Sequence, residues 1–411
     1  MYSESTTPDS GRGPWARVFH APQVAALSLA SIVARLPFGM GGVSLVIFVH
    51  AHTGSFGIAG LVTGFYTLGF ALAGPFLGRL VDRRGPRPVL APASVVCALA
   101  LVAIVVIGES SAGTVPLALA CAVAGGSVPP VSGVVRRTWP ALVPRQDLTH
   151  AYLFDSVLIE IVFVCGPLLT GLLSAAVSPA APLFVAAGFV LIGTAWFLLV
   201  PVVRGEVPAS AEHHTRAGAL ASPVIRFVIL TGIPIGASFG ALDVALPAFG
   251  ADHGSTALGG LFAAAISLGS MLGAIVFGVI GPRFGNLRQA SLRLAVLQPL
   301  VIAPLLLAPG SIVLVLLAVL AGTFAAPMVT LRSRIAELTM PPGTGTETFT
   351  WLLLAVMGGV SASAALAGPL VEAGGWRAGV ILAVAVPLAA LPAIFAGRHL
   401  LPTAQLQHGQ S

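Results

Sequence analysis

The chain has 411 residues, of which 56% are hydrophobic and only 8% are charged, and its formal net charge is +6. Soluble globular domains carry roughly 25% charged residues, so this composition excludes a soluble fold and makes the lipid bilayer the solvent for most of the chain. All 20 basic residues are arginines. They lie in short segments between apolar runs, a pattern typical of cytoplasmic loops and not of a nucleic-acid-binding surface.

Apolar runs long enough to cross a membrane recur along the whole chain. A transmembrane helix needs about 20 apolar residues, and the first run is too long to be a cleaved signal peptide. The chain is therefore predicted to be an all-α polytopic membrane protein with about twelve transmembrane helices. They lie at roughly 22–49, 57–79, 89–108, 114–135, 148–175, 182–203, 222–249, 257–281, 289–308, 311–331, 347–371 and 378–397.

The arginines predict the orientation of these helices. Nearly all of them lie at span ends on one side of the membrane, whereas Arg377 lies on the other side and Arg35 within a span. The loops opposite the arginines carry Glu109, Asp252 and Glu372. Positive residues favour the cytoplasm, so we expect a plasma-membrane (inner-membrane) protein with both termini cytoplasmic.

The segment between the second and third spans, residues 78–90, reads GRLVDRRGPRPVL. It predicts a tight basic loop, in which Gly85 permits a sharp turn and Gly78 lets two helices approach closely. Asp82 can accept hydrogen bonds from a neighbouring helix N-terminus. The segment resembles the signature between helices 2 and 3 of the major facilitator superfamily, and the resemblance implies a gating role for Gly78, Asp82, Arg83, Gly85 and Arg87. The matching residues are Gly78, Leu80, Asp82, Arg83, Gly85, Arg87 and Leu90; Pro86 stands where that family usually has a basic residue.

The second half of the chain repeats features of the first at an offset of about 200 residues. Gly78, Arg83 and Gly85 correspond to Gly278, Arg283 and Gly285. The resemblance implies two pseudo-symmetric six-helix bundles, related by an axis along the membrane normal. The predicted domains are a cytoplasmic tail (1–21), an N-terminal bundle (22–203), a cytoplasmic linker (204–221), a C-terminal bundle (222–397) and a second cytoplasmic tail (398–411).

Four ionisable residues fall inside predicted spans: Arg35, Asp155, Glu160 and Asp243. A charge near the bilayer centre costs about 3 kcal/mol, so such residues usually face an aqueous cavity and have partners. We predict that Arg35 pairs with Glu160 and that the carboxylate couples proton movement to conformational change. The alternative is a permanent structural ion pair. Asp155 lies nearer the cytoplasmic end of its span. For Asp243, contact with water in the outer vestibule explains the charge as well as a role in a functional site does.

Two further patterns bear on mechanism. Gly166, Pro167 and Gly171 form an element similar to the G-P-x-x-G-G motif of the antiporter branch of the superfamily, with different spacing. The family resemblance also implies a cytoplasmic charge lock that includes Asp82 and holds the outward-open state. The candidate members of this lock are Arg136, Arg137, Arg332 and Arg334. The alternative is that these arginines are ordinary positive-inside anchors. The arginine that proton-driven drug exporters carry in the fourth span is absent here.

These patterns favour a secondary transporter that exports small apolar or amphipathic compounds by proton antiport. The alternative within this class is proton-coupled uptake of a small, anionic solute held by Arg35. From another class, a receptor or scaffold that moves no solute is disfavoured by the duplicated halves and buried charges.

The sequence has no phosphate-binding loop, zinc-protease helix or nucleophile elbow, so we expect no enzyme, no cofactor and no metal site. The expected partners are lipid, a small-molecule substrate and protons, and the expected assembly is a monomer.

Overall fold

The computed structural model describes residues 17–19, 21–110, 112–144, 147–204, 219–280, 285–341 and 344–404. No β-strand occurs among them. The first half contains α1 (Val24–Thr53), α2 (Phe56–Arg84), α3 (Arg87–Glu109), α4 (Thr114–Gly126), α5 (Val131–Leu142), α6 (Leu148–Ala176), α7 (Ala181–Leu199) and α8 (Pro201–Arg204). The second contains α9 (Pro223–Leu230), α10 (Gly232–Asp252), α11 (Thr256–Ile280), α12 (Leu287–Ile302), α13 (Ser311–Gly322), α14 (Ala325–Thr339), α15 (Gly345–Gly374) and α16 (Trp376–Ala396).

These helices supply 12 candidate membrane spans, which confirms the predicted all-α polytopic fold. Three spans are each built from two consecutive helices: α4 with α5, α9 with α10, and α13 with α14. The fourth span extends to Leu142, beyond the predicted end at residue 135. Pro129 and Pro130 separate α4 from α5, because proline lacks a backbone N–H and disfavours helical geometry in the residue before it.

The predicted loop at residues 78–90 is shorter in the structure than expected. Helix α2 continues to Arg84, and α3 begins at Arg87, so only two residues connect them. Gly85 adopts φ 83° and its N–H donates to the Val81 carbonyl at 2.8 Å, which confirms its predicted role in a sharp turn. Arg83 and Arg84 lie in the last turn of α2, where the helix dipole favours positive charge.

The internal repeat is visible in the backbone as well as in the sequence. Gly285, the counterpart of Gly85, adopts φ 85° at the start of the segment before α12. Residues 281–284, which hold the remainder of the second loop, lie outside the described residues. Each half packs chiefly on itself, and the two bundles meet mainly through α2 against α15 and α6 against α11. The predicted domain boundaries stay predictions, since most of the linker falls at 205–218, outside the described residues.

The molecule has two ends, which we name the basic face and the distal face. The basic face is the end that carries Arg17, Arg84 and Arg334. The distal face is the other end, where the chain turns at Gly54 and Gly375, both with positive φ. At the basic face, the Arg17 side chain makes a two-point ion pair with Asp147, Nε to Oδ2 at 2.8 Å and Nη2 to Oδ1 at 2.7 Å, which ties residues 17–19 to the junction before α6.

Within the first bundle, α1 and α6 approach at backbone distance through paired glycines. A Cβ added at Gly166 would lie 2.6 Å from the carbonyl carbon of Gly39, and one added at Gly39 would lie 2.5 Å from the Val162 carbonyl oxygen. Small residues allow such contacts in membranes, where helices associate by close packing and not by hydrophobic exclusion.

This packing predicts that Gly166→Ala destabilises the protein by about 1–3 kcal/mol, the usual cost of overpacking. The matched control is Gly188→Ala, because a Cβ at Gly188 in α7 would meet no atom of the described part of the chain within 4 Å. The control is expected to be neutral or slightly stabilising, since alanine favours helices more than glycine does. Thermal unfolding of the purified variants in detergent measures both; equal midpoints for the two variants would contradict the packing argument.

Candidate functional site between the bundles

An ion cluster lies inside the first bundle near the basic face. Arg35, in the middle of α1, donates through Nη1 to Asp155 Oδ1 at 2.8 Å. Arg136 of α5 approaches the same carboxylate, with its Nε 3.6 Å from Asp155 Oδ2. Asp155 is fully buried and Arg35 is 6% exposed, whereas the Arg136 side chain is mostly exposed. Two positive charges from two helices therefore converge on one buried carboxylate.

The predicted pairing of Arg35 with Glu160 is wrong in this structure. Asp155 and Glu160 are five residues apart on α6, which corresponds to about 500° of helical rotation. The two carboxylates therefore point to different sides of α6, and only one of them can face α1. The helix presents Asp155 to Arg35 and directs Glu160 towards the second bundle, where Ser270 Oγ of α11 donates to Glu160 Oε1 at 3.5 Å.

Asp243 is a carboxylate of the second bundle that faces the first bundle. It lies on α10, half-buried, among neighbours that are themselves buried. A Cβ added at Gly42 of α1 would lie 3.5 Å from Asp243 Oδ2, so the carboxylate faces the first bundle. Among the described residues, neither Glu160 nor Asp243 has a cationic partner. Each bundle thus directs one unpaired carboxylate towards the other.

The bundles are in contact at the distal face and separate towards the basic face. Gly60, Gly64, Gly74 and Gly78 share one face of α2 by helical spacing. A Cβ at Gly60 would meet the backbone of Ala364 in α15, and one at Gly64 would lie 2.9 Å from a carbonyl oxygen of the same helix. A Cβ at Gly74 or Gly78 would meet no atom of the described residues within 4 Å. The interface therefore opens at the basic face.

This opening corrects one prediction about the 78–90 segment. Among the described residues, none approaches Gly78 closely in this conformation, because α2 has diverged from α15 at that level. The described side chains of the segment include exposed Arg83 and Arg87. The side chain of Asp82 lies outside the described residues. The gating role of the segment stays a prediction.

The antiporter-like element lies where three helices cross. Gly166 packs on α1, as described above, and a turn further along α6 Gly171 packs on α11. A Cβ at Gly171 would lie 3.1 Å from the Gly260 Cα, and a Cβ at Gly260 would meet the Pro167 carbonyl oxygen. Gly166, Pro167 and Gly171 therefore form the contact between α6 and its partners in both bundles.

The four arginines of the predicted charge lock do not form one group. Arg136 contacts Asp155, and Arg334 pairs with Glu337 at 3.1 Å on the exposed face of α14. Arg332 is buried, donating to the carbonyl oxygens of Val228 and Leu352 at 3.3 Å each. Arg137 lies beside Arg136 on α5. The lock would belong to another conformation and stays a prediction.

Nothing in the sequence singles out Ser270, the one described side chain that donates a hydrogen bond to Glu160, because it lies in a helix rich in Gly, Ala and Ser. The Arg17–Asp147 ion pair was also missed, since its partners are 130 positions apart. The sequence places Asp155 inside a span, nearer its cytoplasmic end, but does not identify it as the partner of Arg35.

The geometry defines a twelve-span α-helical membrane protein with two bundles around a space that opens at one end. The family model described as "Major Facilitator Superfamily" matches residues 27–297. The chain belongs to this superfamily of membrane transporters. A search of curated proteins gave no significant match.

Solved structures support the same fold. An inward-facing bacterial homologue of the iron transporter ferroportin is 19% identical, with a TM-score of 0.72, covering 91% of this chain and 98% of that one. An outward-facing structure of such a homologue, with the same identity and coverage, has a TM-score of 0.62. The nucleoside transporter NupG is 15% identical, with a TM-score of 0.71, covering 90% of this chain and 98% of its own. At these identities the similarity shows the fold alone.

The ion cluster predicts how substitutions change the free energy of unfolding. Asp155→Asn leaves Arg35 buried without a counter-charge and is expected to lower that free energy by about 3–5 kcal/mol, as when one member of a buried pair is removed. Arg35→Gln should also destabilise, and the double variant should recover part of the loss, because the two residues are coupled.

The matched control is Glu160→Gln, which alters a carboxylate on the same helix that does not contact Arg35. Its thermal midpoint in detergent is expected to stay close to that of the unmodified protein. A large loss for Glu160→Gln together with a small one for Asp155→Asn would show that Arg35 pairs with Glu160 instead.

Proposed function

We propose that the protein is a secondary transporter that exports small apolar or amphipathic compounds in exchange for protons. The observation that carries this proposal is the pair of unpaired carboxylates, Glu160 and Asp243, each directed from one bundle towards the other. Arg35 is already engaged by Asp155, so neither carboxylate is held in a permanent ion pair by it.

The carboxylates suit proton coupling for an electrostatic reason. An ionised carboxylate without a cationic partner is costly in a closed, water-poor interface, whereas its protonated form is much less so. When the interface around a carboxylate closes, proton uptake removes that cost. When the interface opens to water, the proton can leave. Proton binding and the movement of the bundles are thereby linked, as alternating access requires.

Export of apolar compounds is supported by two observations. Only 8% of the residues are charged, so the spans offer few polar groups to a substrate. The antiporter-like element at Gly166, Pro167 and Gly171 also lies at the contact between the bundles, where it would shape the movement of α6.

We further propose that the basic face is cytoplasmic, that both termini are cytoplasmic, and that the protein works as a monomer in the plasma membrane. The excess of arginine at one face supports this orientation, because positive loops are retained in the cytoplasm. In that orientation the conformation described here is open to the cytoplasm, in keeping with the greater similarity to the inward-facing homologue.

The alternative is proton-coupled uptake of a small anionic solute. One observation favours it: Arg35 Nε and Nη2 are buried and have no hydrogen-bond partner among the described residues. An anionic group could accept from these donors, since a guanidinium presents its N–H groups in a fork that matches carboxylates. Arg35 would then hold the solute and Asp155 would hold Arg35.

The transport test uses everted membrane vesicles holding a proton gradient, with a panel of lipophilic cations, dyes and antibiotics. Substrate addition should cause proton efflux with the unmodified protein. Glu160→Gln and Asp243→Asn should each reduce the rate of this proton efflux to below about one tenth. Such a reduction corresponds to an activation free energy that is higher by at least about 1.4 kcal/mol. The matched control is Glu109→Gln, which changes an exposed carboxylate at the distal face and should transport normally.

Proton movement in the opposite direction, seen as substrate-dependent co-entry in right-side-out vesicles, would favour uptake. Unchanged transport in both Glu160→Gln and Asp243→Asn would reject these residues as coupling groups. An exchange that does not depend on a proton gradient would reject proton coupling itself.

Orientation is tested separately by thiol labelling. In a Cys165→Ser background, Ser110→Cys at the distal face should react with a membrane-impermeant maleimide in intact cells. Arg334→Cys at the basic face should react only after permeabilisation. Cys97 and Cys121 are buried and should stay unlabelled. The reverse labelling pattern would invert the proposed topology.

A further inference from the structure

We propose that the second bundle contains a binding site for a small monovalent inorganic anion, of the size of chloride, held by Arg332. The site is separate from the space between the bundles. It lies beside a cavity enclosed by α9, α12, α14 and α16 at the basic face.

The first step of the argument is an uncompensated charge. Arg332 is 7% exposed, and its printed hydrogen bonds reach two neutral carbonyl oxygens, both at 3.3 Å. No carboxylate contacts it among the described residues. A buried charge without a counter-charge is strongly unfavourable. In the first bundle, the corresponding problem at Arg35 is solved by Asp155; among the described side chains of the second bundle, no carboxylate does the same for Arg332.

The second step is the room beside the guanidinium. The cavity measures about 30 Å³ and is lined by Arg332, Thr231, Ser291 and apolar side chains that include Met328. A site for one water needs roughly 10–15 Å³. The cavity is therefore large enough for one halide-sized ion.

The third step is the presence of further donors. The Thr231 and Ser291 hydroxyls now donate to the carbonyl oxygens of Val228 and Leu287, at 2.7 and 2.8 Å. A hydroxyl rotates about its C–O bond, so each can turn its hydrogen towards an anion in the cavity. Together with the guanidinium they give the cavity three polar groups in a wall that is otherwise apolar, with no carboxylate among its described lining residues.

The chain itself closes this pocket at the basic face. Leu401 lines the cavity, and its carbonyl oxygen accepts from Arg288 Nε at 3.0 Å and Nη2 at 2.8 Å. The Leu287 N–H also donates to the Ala404 carbonyl oxygen at 2.9 Å. Residues 401–404 are thus held over the cavity by contacts that add a second arginine near the site.

The experiment measures thermal unfolding of the purified full-length protein in detergent, with sodium gluconate replaced stepwise by sodium chloride at constant ionic strength. A ligand that binds the folded state raises the midpoint in a saturable way. We expect a rise of a few degrees for the unmodified protein. Arg332→Gln should abolish the chloride response, whereas Arg334→Gln, an exposed arginine half a turn away on the same helix, should retain it.

If Arg332→Gln does not fold, Ala295→Leu provides a second variant, because Ala295 lines the cavity and a larger side chain would fill it. That variant should fold and lose the chloride response. The proposal is overturned if the unmodified protein shows no saturable chloride dependence, as it would if the cavity held only water. It is equally overturned if a folded Arg332→Gln or Ala295→Leu variant responds like the unmodified protein.

Discussion

The contact between the two bundles at the distal face is the constraint on which the rest of the structure depends. In a bilayer, helices gain little from hiding apolar surface from one another, so their association rests on close packing. Here the packing is made by glycines, with Gly60 and Gly368 at the contact of α2 with α15, and Gly171 and Gly260 at that of α6 with α11. Because these contacts end before the basic face, the helices are packed together at the distal face and lie apart at the basic face.

The second constraint is the cost of charge in the membrane, and each part of the molecule meets it differently. In the first bundle, two arginines share Asp155. In the second bundle, the partners of Arg332 among the described residues are carbonyl oxygens. Between the bundles, Glu160 and Asp243 have no cationic partner among the described residues. The buried ion pair of Arg35 thus lies inside one bundle, whereas Glu160 and Asp243 lie at the interface between the two.

Much of the fold could be predicted because the bilayer imposes simple rules. Span number follows from the length of apolar runs, and the turn at Gly85 follows from a residue that tolerates positive φ. The pairing of Arg35 could not be predicted, although helical geometry showed that Asp155 and Glu160 could not both face it. Choosing between them requires the rotation of α6 about its axis, which depends on packing against α1 at Gly39 and Gly166.

The sequence by itself determined the solvent, the all-helical class, the approximate number of spans, the internal repeat and the superfamily signature at residues 78–90. Those features depend on composition and on patterns local to the chain. Only the tertiary structure decided which charges are paired, where the bundles touch and that α2 diverges from α15 at Gly78. Such contacts join residues more than a hundred positions apart, as Arg35 and Asp155 are, and helix rotation and tilt are set by the packing of whole surfaces.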